Sequence, residues 1–136
     1  MEIKELRAYV KSGEAYVDVT VGVLHLPPTL QVAVPGLDFE SDYSESTLWD
    51  SLISLRKDLE DFGYILCCQG SRREVQPSGM QLDMGATRDA YVFKEGALEL
   101  AQKNKVDILD PVPREQAATV AEQRETIRER WNTGHS

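Results

Sequence analysis

Leu48-Trp49-Asp50-Ser51-Leu52-Ile53-Ser54-Leu55-Arg56-Lys57-Asp58-Leu59-Glu60-Asp61-Phe62-Gly63-Tyr64-Ile65-Leu66-Cys67-Cys68 is the stretch whose reading decides the fold class. Within it Leu48, Leu52, Leu55, Leu59 and Phe62 recur at helical spacing, and Trp49 and Ile53 widen the same stripe. Ser44 or Ser46 offers an N-cap and Gly63 a stop. The apolar run over 64–68 begins at once and reads as a buried strand. So short a return places that strand beside the surface on which the helix packs. A helix with one apolar face needs another element to cover it, and the strand candidates around it supply a sheet, which makes the chain α+β.

Toward the N-terminus, residues 3–11 and 15–24 form two strand candidates around the turn Lys11-Ser12-Gly13-Glu14. In the second of them Val17, Val19 and Val21 share one face. Pro27-Pro28 separates these from a third strand over 30–34, which Pro35-Gly36 closes. Residues 38–50 read as an acidic linker into the helix. Toward the C-terminus, 80–84 alternates before Gly85, 90–93 is a better strand candidate, 98–100 is ambiguous, and 106–109 reads as a final strand before Asp110-Pro111. From Pro113 onward the chain reads as a polar helix with a thin stripe of Ala117, Val120, Arg124, Ile127 and Trp131. The expected architecture is an antiparallel or mixed sheet packed by the central amphipathic helix. Residues 1–111 form one compact domain, and 112–136 form an accessory C-terminal helix with a frayed tail.

The chain of 136 residues carries 15 basic and 23 acidic residues, a formal charge of −8. Contiguous basic patches interleaved with aromatics are absent, which argues against nucleic acid as a partner. No apolar stretch reaches membrane-spanning length and the N-terminus lacks a signal-like core, so the expected location is cytoplasmic. Cys67 and Cys68 are adjacent on a strand, where side chains alternate. They read as reduced packing residues rather than a disulfide or metal pair. Neither His25 nor His135 has metal ligands at useful spacing, and no catalytic triad is visible. The expectation is therefore no cofactor, no metal and no assigned catalytic residue, with enzyme function the less favoured reading.

Two segments are candidate sites. Gly70 to Gly79 is a polar loop after the buried strand, in which Ser71, Arg72, Arg73 and Ser78, with Arg88 nearby, can present donors to a small anionic ligand. The ordinary alternative is that these arginines pair with Asp83, Asp89 or the acidic linker. The second segment runs from Gln31 to Leu55, which holds five acids and no lysine or arginine. Asp38, Glu40 and Asp42 there would steer toward a basic partner, and Phe39 and Tyr43 would supply anchors. Trp131, a large apolar side chain on a polar helix, is a further partner-binding candidate and can anchor a homodimer. These features favour a small acidic, bacterial-type protein-binding module, an inhibitor or immunity-like protein in its concrete form. Two alternatives stand beside it: an enzyme or binding protein for a small anionic ligand at the 70–80 loop, and an oligomeric accessory protein.

Overall fold

The computed structural model describes residues 1–77, 88–92 and 105–134, with side chains described to residue 129. The chain runs β1 (Glu2–Val10), β2 (Tyr16–Leu24), β3 (Thr29–Val34), β4 (Phe39–Ser44), α1 (Leu48–Asp61), β5 (Tyr64–Leu66), β6 (Val75–Gln76), β7 (Asp89–Val92), β8 (Lys105–Asp107) and α2 (Val120–Gly134). Five strands make one sheet in the order β4-β3-β2-β1-β5, with every neighbouring pair antiparallel. The class is α+β, with the sheet packed against α1 and a second helix at the C-terminus.

The pairing register puts every valine of β2 on one face. Leu6 lies opposite Val19, Val21 opposite Val32, Val23 opposite Leu30, and Leu30 opposite Tyr43. These residues are buried together with Leu48, Leu52, Leu55 and Leu59 of α1. Because strand side chains alternate, Ile3, Glu5, Arg7, Asp18, Thr20, Gln31, Glu40 and Asp42 occupy the opposite, open face. One face holds the core and the other holds the polar residues.

Four expectations need correction. The acidic linker is in large part a strand: within β4, Phe39, Ser41 and Tyr43 point toward the core while Glu40 and Asp42 point outward. The N-cap of α1 is Thr47 rather than Ser44 or Ser46, since the Thr47 hydroxyl accepts from the Asp50 amide at 3.0 Å. The last apolar strand spans Lys105–Asp107, with Ile108 and Leu109 buried just beyond it. The C-terminal α-helix begins at Val120, after a single 3-10 turn at Arg114–Gln116. There Thr119 and Glu122 bond each other's backbone amides reciprocally, a capping box that fixes the start. Candidate segments 80–84 and 98–100 lie outside the described residues.

β6, β7 and β8 form a small second antiparallel sheet. Gly70 joins it to α1: a Cβ built there would lie 2.5 Å from Leu52 Cδ2 and 3.2 Å from the Ile108 carbonyl, so only glycine admits this approach. Gly63, with φ of +91°, turns the chain from α1 into β5.

Candidate functional site

Two surfaces and one buried cluster carry the chemically interesting side chains. The first surface is the arginine loop. Val75 and the short turn at Gln69–Ser71 pack it against β7, β8 and α2, and its cations bond groups of the same chain. Arg72 donates to Gln69 Oε1 at 2.9 Å and lies 3.8 Å from Glu74. Arg73 pairs with Glu122 of α2 at 2.8 Å. Arg88 forks onto both oxygens of Asp107, at 3.3 and 2.7 Å, and also bonds Glu2. The three guanidinium groups therefore serve acids on different elements. Ser71 is fully buried beside the Cys68 thiol at 3.4 Å, out of reach of a ligand in solution. Ser78 lies outside the described residues.

The second surface is the open face of the five-stranded sheet with its outer strand β4. Glu5, Asp18, Glu40 and Asp42 are exposed there with Arg7, which sits 4.4 Å above the Tyr16 ring. Asp38 is exposed at the tip before β4, in the left-handed region with φ of 50°. Among the described residues Asp38, Glu40 and Asp42 enter no ion pair. Two shallow grooves cross this face. One of about 270 Å³ runs past Ile3, Thr20, Gln31, Glu40 and Asp42, and one of about 460 Å³ runs past Arg7, Tyr9, Asp18, Cys67 and Arg114. Both open to solvent, and neither is an enclosed cavity.

The aromatic candidates divide. Phe39 is half-buried and meets Phe62 edge to face at 5.3 Å, with Phe62 50% exposed. Tyr43 is buried in the core, and its hydroxyl donates to Asp58 at 2.7 Å; burial and that carboxylate push the phenol well above its ordinary range. Tyr43 therefore holds β4 on α1 instead of facing outward. The Trp131 side chain lies outside the described residues.

The buried cluster is marked in the sequence by a cation inside an apolar stripe. Arg56 stands four residues after Leu52 and three before Leu59, inside the apolar stripe, and it is fully buried. Its Nη1 donates to the Gly70 carbonyl at 3.0 Å and to Gln123 Oε1 at 2.6 Å, and its Nη2 to the Ala118 carbonyl at 3.1 Å. Gln123, 1% exposed, sends its amide to the carbonyls of Gly70, Arg72 and Val75. Glu60 adds a third link by accepting from the Val120 amide at the start of α2. Burial pushes the Glu60 carboxyl above its usual range and the Arg56 guanidinium below its own. Gln123, rather than the expected Arg124, thus faces inward from α2 together with Val120, because backbone carbonyls of the 70–75 segment need its donors.

Both cysteines are free and buried. Burial pushes the Cys67 thiol up to about 11 and raises that of Cys68. Neither is a thiolate at neutral pH, so neither is activated as a nucleophile. No group of three metal-ligating side chains forms among the described residues, and no described helix is long and apolar enough to cross a membrane.

No family model matches this chain, and no curated protein matches it.

Proposed function

We propose that this protein is a binding module for another protein with a basic surface, acting as an inhibitor or immunity-like protein, and that Asp38, Glu40 and Asp42 make the encounter. The observation that supports this reading is the contrast between the two charged surfaces. The arginines of the 70–75 segment and Arg88 are matched by acids of their own chain. The carboxylates of β4 are exposed, side by side on one face, and without a described cation. Carboxylates so placed raise the rate of association with a basic partner, and they do so most at low ionic strength.

Capture from the source cell's extract, with the wild-type chain and a Glu40→Lys/Asp42→Lys variant compared in parallel, tests this. The reading expects a basic protein that the wild type retains and the variant releases, whose association slows with added salt and whose own activity falls when the wild type is added. Equal retention by both chains would sink it.

A further inference from the structure

We infer that β4 is an addition site for an extended segment of the partner, one that alternates basic with apolar side chains. The inference rests on the acidic-surface reading above and specifies how that partner is held.

β4 is the outer strand of its sheet, paired with β3 from Thr29↔Ser44 to Val34↔Phe39. No described strand lies on its other side, and among the described residues 39–44 make no backbone hydrogen bond outside that pairing. An antiparallel strand with one neighbour directs about half of its amides and carbonyls away from it. Such a row is a template for another strand, with the backbone giving affinity and the flanking side chains choosing the sequence.

The flanking side chains are of two kinds. On the open face stand Glu40 and Asp42; on the opposite face, at the start of the strand, stand Phe39 and the half-exposed Phe62. An incoming strand that alternates would set its cations against the first pair and its apolar residues against the second. A second copy of this chain is a poor occupant. Pairing β4 with itself places carboxylates across from carboxylates, and like charges directly opposite on neighbouring strands repel. The stretch from Gln31 to Leu55 contains no lysine or arginine to relieve that repulsion. The same acids that keep copies apart admit a basic strand.

The experiment uses the full chain, isotope-labelled, and a capped hexapeptide alternating lysine with valine, with two controls. One control carries N-methyl groups on the amides of one edge, so that it keeps its charge but cannot extend the ladder; the other is oligolysine of equal charge. The inference expects the first peptide to protect amides of residues 39–44 from hydrogen exchange. It also expects N-methylation to weaken binding by roughly tenfold or more, the effect of losing two hydrogen bonds. The Glu40→Lys/Asp42→Lys variant should instead take up a glutamate-valine hexapeptide. If the N-methylated peptide or oligolysine binds as well as the parent, or if the affected residues are Thr20 and Gln31 of the open face, strand addition is overturned while the acidic-surface reading survives. Failure of every cationic probe overturns both.

Discussion

Replacing Arg56 by methionine should loosen the attachment of α2 to the rest of the chain, and its partner in the test is Gln123. Methionine retains most of the buried stem but no donor. Two acceptors lose their only described partner, Gln123 Oε1 and the Ala118 carbonyl, while the Gly70 carbonyl keeps the Gln123 amide at 2.8 Å. A stranded buried acceptor costs about 1–3 kcal/mol, so the gross loss is about 2–6 kcal/mol. Removing the guanidinium also removes its desolvation penalty, which offsets part of that loss and brings the expected net to about 2–4 kcal/mol. The more telling quantity is the coupling with Gln123→Met. A 2.6 Å hydrogen bond from a charged donor in a site without solvent should give a coupling of about 1.5–3 kcal/mol in a double-mutant cycle. Urea unfolding of the four chains, followed by tryptophan fluorescence and far-ultraviolet circular dichroism, provides the measurement. Additivity within about 0.5 kcal/mol, or an Arg56→Met chain more stable than wild type, would refute the reasoning and leave α2 held by its apolar contacts alone.

Three further outcomes follow from the same contacts. Gly70→Ala pushes a methyl group to 2.5 Å from Leu52 Cδ2 and should lower stability by about 1–3 kcal/mol, seen as a reduced Tm. Thr119→Ala removes the hydroxyl that accepts from the Glu122 amide at 3.1 Å and should cost about 1 kcal/mol in the same assay, with the loss of helical signal confined to α2. Glu60 and Glu122 should give pH dependences of opposite sign. The Glu60 carboxyl is raised by burial above its ordinary 4.5, so its stabilising contribution is complete below that value and lost as pH rises through the folded-state pKa; Glu60→Gln should flatten stability above pH 4.5. The Glu122 carboxyl is lowered, by the Thr119 amide first, so its contribution is present above 4.5 and lost as pH falls through its lowered pKa; Glu122→Gln should flatten the acid side. Urea midpoints from pH 3 to 7 check both signs.

The fold class was legible because two periodicities, the leucine stripe over 48–62 and the valine alternation over 17–23, each state one buried face without help from the rest of the chain. β4 was not legible. Its inward positions hold Phe39, Ser41 and Tyr43, and a serine in the middle breaks the apolar alternation that marks a strand. What makes it a strand is its hairpin with β3, paired from Val34↔Phe39 to Thr29↔Ser44, whose apolar alternation β4 follows without sharing it. The start of α2 was hidden differently: Thr119 and Glu122 form a readable capping box, but good helix formers extend upstream to Arg114 and carry the expectation with them. For the arginines the sequence showed surplus cations at a loop and could not show their partners. Glu122 lies 49 residues from Arg73 and Glu2 lies 86 from Arg88.

Those long-range pairings bear on how the surface charge is arranged. Arg72, Arg73 and Arg88 are each partnered by an acid or amide of the same chain. Lys4 does the same with Asp110 at 2.9 Å, tying β1 to the segment after β8. Lys4–Asp110 and Arg88–Glu2 thus hold the second half of the chain onto the first, and β4, at the far edge of the sheet, enters no ion pair among the described residues. Surface ion pairs contribute little individually, so this arrangement is weak as a source of stability. Its larger consequence is electrostatic: Glu40 and Asp42 are left without a described ion-pair partner on an outer strand, where the edge most needs protection from its own kind.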